Sequence, residues 1–289
     1  MAGFRNIFTV DLEEWFVVEI LSGRFSPDDW RSLESTVIDN SLRLLELLNK
    51  KNISATWYSL GWCAEQYPDL LQEIFQNGHE IGCHSYYHRR VDRLDRDTFR
   101  ADTEKAINAI VKAIGNRPYG YRAPSWSISP TIPWAFELLG ELGFRYDSSV
   151  FPIKHDLYGW PQGPRHIFKV ELKRGGTLWE VPATTFRMFG QNMPVGGGGY
   201  FRHSPYWYSR RIIKKLNEQG HPAVFYVHPW EIDPSPPHLN HLSALQKFRS
   251  YSSTSIMERK LEKLMDDFTF TNTADYLNLF KKRRIGFEN

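Results

Sequence analysis

The chain has 289 residues, 41% of them hydrophobic, and a formal net charge of +3. Such a length builds one large core and suits a single α/β domain of the barrel type. Charge this evenly balanced, with no long basic or acidic run, gives nucleic-acid binding no support, and no apolar run approaches the ~20 residues of a membrane-spanning helix.

The start, Met1-Ala2-Gly3-Phe4-Arg5-Asn6-Ile7-Phe8, lacks the charged-then-apolar layout of a signal peptide, so a cytoplasmic protein is expected. Residues 7–10 read as a strand that delivers Asp11 at its end. Leucines at 42, 44, 45, 47 and 48 give residues 37–50 a helical period. Residues 53–60 are β-branched and aromatic, hence a strand, and 68–76 form a helix that Gly78 stops. Residues 79–84 are the next strand, and 95–114 a long helix with Asp95 or Asp97 as N-cap. A strand at 119–122, a helix at 131–142 and a strand at 144–147 follow. From about 148 to 217 the chain is rich in Gly, Pro and aromatics, which predicts long loops with short strands such as 178–181. Residues 205–219 return to helix, 223–227 to an apolar strand ending at His228. A polar loop at 233–243 and helices at 256–267 and 273–280 complete the chain. Repeated strand–helix units predict a parallel sheet with helices outside, either open or closed. Polar residues gather after one strand after another, which favours a barrel with its site at the mouth where strand C-termini converge.

Five segments carry candidate chemistry. His84 and His88 stand four residues apart at a strand end, and two imidazoles so placed can turn onto one metal ion. Asp11 and Glu13 share one side of an extended chain, with Glu14 on the other. One carboxylate can then bind metal while the other takes a proton from water, although acids are also common at helix N-termini. Arg122, stiffened by Pro124, can pair with Asp11 and hold its position. Asp147 and His228 each end a strand, and a histidine held by a carboxylate can act as a general acid. Taken singly, each of these residues is more often structural.

Other features point elsewhere. His79-Glu80 followed by His84 has the wrong spacing and the wrong local structure for a helical metalloprotease motif. Gly196-Gly197-Gly198-Gly199 lacks the Lys-Ser/Thr of a phosphate loop and reads as flexible or closely approached backbone near the mouth. Cys63 and Cys83 lie in apolar stretches and read as buried thiols. His155, His166, His203, His221, His238 and His241 have no partners by spacing and read as surface or loop residues, with His155 able to reach the mouth. Ten tryptophans and a 15% aromatic content go mostly to core packing, with some rings left to stack on sugars.

In this order, Thr9-Val10-Asp11-Leu12-Glu13, His84-Ser85-Tyr86-Tyr87-His88, Arg122-Ala123-Pro124, Tyr146-Asp147-Ser148-Ser149 and Val227-His228-Pro229-Trp230 resemble the polysaccharide deacetylase family (NodB homology, carbohydrate esterase family four). Gly197 to Arg202 and Ala223 to Pro234 look like the subgroup found at exopolysaccharide loci with exosortase-type sorting. The resemblance implies a distorted β/α barrel of about seven strands, a single domain over 1–289 with a family-specific extension from about 150 to 289. It implies a divalent metal, usually Zn2+, on Glu13, His84 and His88, with Asp11 as base, Arg122 as its partner, His228 as acid and Asp147 as the orienter of His228. Most members have two adjacent aspartates at the first motif. Here Leu12 takes the second place, so Glu13 is the favoured third ligand and Glu14 the alternative. Tyr226 stands where many members have a leucine against the acetyl methyl.

The function expected is removal of N-acetyl groups from amino sugars of a bacterial exopolysaccharide or its precursor, with an N-acetylated polysaccharide or oligosaccharide as partner. Two rivals are hydrolysis of a cyclic amide or ureide at the same site, and a catalytically silent carbohydrate-binding protein.

Overall fold

The computed structural model describes residues 4–237, 239 and 242–280. His238, His241 and the first three residues of the N-terminal reading lie outside them. The elements run β1 (Arg5–Leu12), α1 (Val37–Lys50), β2 (Thr56–Ser59), α2 (Gly61–Gln66), α3 (Pro68–Gln76), β3 (Glu80–Cys83), α4 (Arg96–Ile114), β4 (Gly120–Tyr121), α5 (Trp134–Glu141) and β5 (Tyr146–Asp147). Then come β6 (Phe168–Glu171), β7 (Thr177–Glu180), β8 (Thr185–Met188), β9 (Gln191–Pro194), α6 (Gly198–His203), α7 (Tyr206–Glu218), β10 (Val224–Val227), α8 (Ala244–Tyr251), α9 (Thr254–Asp267), β11 (Thr269–Thr271) and α10 (Thr273–Tyr276).

Seven parallel strands lie in the order β10-β1-β2-β3-β4-β5-β7. β6 flanks β7 antiparallel, and β11 pairs in parallel with the first residues of β1. The α/β class and the mostly parallel sheet are as the sequence predicts. The gap between β7 and β10 is crossed by loop backbone rather than by a regular strand. Past β7 the chain stays on the β5 side, Val181 N–H donating to Asp147 and Ala183 N–H to Val150; the gap itself is crossed where Val195 N–H donates to Thr184 and Tyr226 N–H donates to Gly196. A parallel bridge from Gly197 to Tyr226 completes the distorted barrel. At Gly197, with φ 134°, an added Cβ would stand 1.9 Å from the Tyr226 carbonyl oxygen. The four-glycine run is therefore a site of close backbone approach, one of the two readings open from sequence.

Alternation along the strands sorts residues into two layers. Ile7, Tyr58, Tyr146, Val181 and Val224 form the inner cluster. Phe8, Val10, Leu12, Trp57, Ile81, Cys83, Tyr121, Phe225 and Val227 belong to the outer layer packed beneath the helices. Inside, Tyr146 lies so close to β4 that a Cβ at Gly120 would meet its ring at 2.0 Å. Parity then aims Thr9 and Asp11 of β1, His84 after β3, Arg122 after β4 and His228 after β10 toward the barrel mouth.

Several details differ from expectation. The stretch from 148 to 217 contains β6 to β9 and α6, the last two strands forming a separate hairpin. β7 matches the strand expected at 178–181, whereas β6, β8 and β9 carry few consecutive apolar residues, so periodicity misses them. α2 escapes notice for the same reason, being only six residues long. The final helix is shorter than 273–280, and β11 precedes it. Asp95 is the N-cap of α4, accepting from Thr98 N–H at 2.7 Å. Both cysteines are free and buried.

Candidate active site

Asp11 ends β1 on the inner face, and Arg122 lies across the barrel from it. Both are buried, and Arg122 Nη1 stands 2.6 Å from Asp11 Oδ1. The guanidinium also donates to Thr9 Oγ1 (2.8 Å), to Ser148 Oγ (2.9 Å) and to the Ser148 carbonyl (3.2 Å), and it lies 4.1 Å from the Tyr58 ring centroid. A charge this far from water needs such satisfaction. Arg122 is thus a fixed part of the barrel interior, not a surface arginine.

Glu13, His84 and His88 converge, with candidate ligand atoms all within 4.8 Å of one another. Glu13 Oε2 is 3.0 Å from His88 Nε2 and 3.5 Å from His84 Nε2, and it is buried with no hydrogen bond. Burial alone would push the Glu13 carboxyl up. The His88 charge, the close contacts with the His84 and His88 rings, and the His228 charge outweigh it and hold the group well below its usual range. His84 Nδ1 is 2.7 Å from the Arg122 carbonyl oxygen. A carbonyl only accepts, so Nδ1 carries the hydrogen and the Nε2 lone pair faces Glu13 and His88, the orientation a metal ligand requires. A carboxylate and two imidazoles suit zinc-like divalent ions, and these residues fit such an ion.

The loop bearing the histidines is held from outside the motif. Asp102 of α4 accepts from Tyr86 N–H (2.8 Å) and Tyr87 N–H (3.3 Å), while Gly61 N–H and Trp62 N–H at the start of α2 bond the Ser85 and Tyr86 carbonyls. These contacts sustain positive φ at Ser85 (67°) and His88 (53°), costly for residues with a Cβ.

Glu14 is placed elsewhere. Its carboxylate accepts from Ser35 Oγ (2.5 Å), Tyr67 Oη (3.2 Å) and Thr36 N–H (3.3 Å), fixing the entry to α1. The structure therefore puts Glu13, not Glu14, beside the two histidines.

His228 ends β10 with Nε2 3.7 Å from both Asp11 Oδ2 and Glu13 Oε1. Its expected partner is not Asp147. Tyr146 occupies the inward position on β5, so Asp147 points into the outer layer, where it lies against Glu180 and accepts from Ser149 Oγ at 2.5 Å. Burial raises both carboxyls of that pair, Glu180 more strongly because the Asp147 charge adds to it. The partner of His228 is Glu231. Its Oε2 accepts from His228 Nδ1 (3.0 Å) and from His228 N–H (3.1 Å), closing a capping box on the short helical turn Pro229–Ile232. Burial would lower the His228 pKa. The Glu231 hydrogen bond, together with the charges of Glu13, Glu231 and Asp11, raises it to about 9. Arg202 Nε stands 3.6 Å from Glu231 Oε1, and Lys260 Nζ donates to the carbonyls of Phe201, Arg202 and Ser204, anchoring the end of α6. Sequence reasoning missed Glu231, although His-Pro-x-Glu, with Pro at N1 and Glu at N3, carries a legible capping signal.

All six inward residues, Asp11, Glu13, His84, His88, Arg122 and His228, line one cavity of about 870 Å3. Tyr226 lines it too, with its ring against Trp126 (centroids 5.1 Å apart) and His228 (5.9 Å). His155 reaches the cavity as its position allows, and His203 lines it as well, stacked on Phe248. His166 and His221 stack on each other, away from this cavity.

Residues 34–146 match the family described as polysaccharide deacetylase, and residues 148–278 match one described as a domain of unknown function, DUF3473. A peptidoglycan deacetylase of Helicobacter pylori is 34% identical over 108 residues, which is 37% of this chain and 36% of that protein. The chain thus matches about a third of the length of that relative. Two solved structures share the fold along nearly the whole chain. One, from Mycobacterium smegmatis and assigned to the polysaccharide deacetylases, has a TM-score of 0.59 at 19% identity, covering 95% of this chain and 90% of that one. The other, PuuE allantoinase, has a TM-score of 0.60 at 18% identity, covering 94% and 88%. By its sequence match, residues 34–146 carry a polysaccharide deacetylase domain of the NodB-homology type, and the chain has the fold these two structures share.

Proposed function

We propose that this protein is a metal-dependent N-deacetylase that releases acetate from N-acetylated amino sugars of a polysaccharide, such as a bacterial exopolysaccharide, or of its precursor. The reading rests on one observation above all: a buried Asp11–Arg122 pair, a Glu13–His84–His88 cluster and His228 face one another across a single cavity. Glu13, His84 and His88 would hold the ion, with Zn2+ the best match to a carboxylate and two imidazoles. When bound, the metal supplies Lewis acidity toward the acetyl carbonyl and its attacking water. Asp11, fixed by Arg122, takes the proton from that water. His228, its ring oriented by Glu231, gives a proton to the departing amine. Tyr226 lies beside His228 and Trp126 beside Tyr226, where the acetyl methyl would be received.

We also propose that the two matched segments act as one catalytic unit. In support, His84, His88 and Arg122 of residues 34–146 and Tyr226 and His228 of residues 148–278 line the same cavity. No described helix is long and apolar enough to cross a membrane. The buried free thiols fit action in a reducing compartment such as the cytoplasm.

The test is acetate release from N-acetylated oligosaccharides, with and without chelator, for wild type and His84→Ala. The variant should lose both bound metal and activity. Full activity in the variant or after chelation refutes the proposal. Ring opening of a hydantoin-type amide without acetate release would instead favour the cyclic-amide reading.

A further inference from the structure

The cavity floor is polar, but much of its wall is not what a chain of sugar hydroxyls would select. Val18, Ile20 and Leu21 approach from the turns after β1, Leu157 from the loop after β5, and Pro237 and Phe248 from the segment around α8. Leu157 is 40% exposed and Phe248 55% exposed, so two large apolar side chains stand in water at the rim of the catalytic cavity. Among the described residues, no Asn, Gln or Thr lines the cavity; Ser125, Lys154, Asp156 and Ser204 are polar members of its lining outside the floor. Glu19, a polar group on that side, is already engaged by Arg93 (3.2 Å) and Ser125 (3.1 Å). Aromatic rings can stack on the C–H faces of sugars, but aliphatic side chains offer no such face. A buried hydroxyl without a partner is costly. The wall is continuous with the acid–base floor, and its volume is ample for a sugar and a further group together.

From this we infer that the substrate is an amphiphile: an N-acetylated amino sugar joined to an apolar aglycone, with the sugar over the carboxylate–histidine floor and the aglycone along the aliphatic wall. The inference rests on the deacetylase reading and narrows it from polymer to lipid-anchored precursor.

The probes are the methyl, butyl and octyl β-glycosides of N-acetylglucosamine, below their critical micelle concentrations, and the N-acetylglucosamine trisaccharide. Each methylene that the wall covers should raise kcat/KM by up to about fourfold, so three covered methylenes give about 60-fold for octyl over methyl. Binding to the metal-free protein, followed by tryptophan fluorescence, should tighten in the same order. Ile20→Asp should flatten both series. Acetate released equally well from all glycosides, or best from the trisaccharide, overturns this inference and leaves the deacetylase reading standing. No acetate from any probe, with the protein folded and metal bound, overturns the deacetylase reading and this inference with it.

Discussion

Replacing Glu231 by Gln isolates the orientation of His228 from every other part of the site. Glu231 is buried and lines no part of the cavity, so substrate contacts are untouched. Its Oε2 receives two donors from His228, at 3.0 and 3.1 Å, and Gln can keep an oxygen there while losing the charge. A hydrogen bond to a charged group contributes about 1.5–3 kcal/mol more than water does. On the proposed mechanism that difference is felt chiefly where His228 carries the proton, so kcat should fall about 10- to 150-fold with KM little changed. Bound metal should be unaffected, because Glu231 is not among the clustered ligand atoms. The removed charge also faces Arg202, so thermal stability must be checked alongside steady-state acetate release. A folded, metal-loaded E231Q enzyme with kcat within threefold of wild type would refute the assignment of Glu231 as the His228 partner.

Further outcomes follow from the same geometry. Glu13→Gln should lose metal by elemental analysis, whereas Glu14→Gln should keep it, because Glu14 faces Ser35 and Tyr67. Asp102→Ala strands the buried Tyr86 amide and the half-buried Tyr87 amide, which should cost about 1–3 kcal/mol for the first and weaken metal retention in a chelator competition. Burial of His79 lowers its pKa to about 4. Its unfolded form takes up a proton below roughly pH 6.5 while the folded form does not, so this contribution is complete above that pH and fades as pH falls toward 4. Between pH 6.5 and 5, wild type should therefore lose about 2 kcal/mol more than His79→Gln in urea melts, and parallel curves would contradict this. Gly197→Ala combines a backbone clash with a positive φ and should cost about 2–5 kcal/mol, read as a lowered Tm or insolubility.

The legible parts of this protein are those that repeat. Strand–helix alternation made the barrel visible, and period-two alternation placed Asp11 and Glu13 together and Glu14 apart. The same rule, applied to β5, would have disqualified Asp147, since Tyr146 and Ser148 take the inward positions. The hairpin β8–β9 and the seam through Gly197 were hidden because irregular backbone carries no period. Asp102 was hidden because only the folded chain sets α4 beside the histidine loop, 15 residues before it in sequence at the Tyr87 contact.

The position of β1 has a consequence for how the molecule comes into being. Its neighbour β2 follows within 50 residues or so, but the partner on its other side, β10, lies 217 residues away, as in the pairing of Ile7 with Val224. Until that late strand is made, a growing chain holds a sheet edge of unpaired amides and carbonyls, open to pairing with other chains. Long-range parallel pairing of this kind forms slowly. Because the late strand leads straight into His228, closure of the barrel and completion of the proposed catalytic set are a single event. A ribosome-released fragment ending before residue 224 would be both sticky and inert.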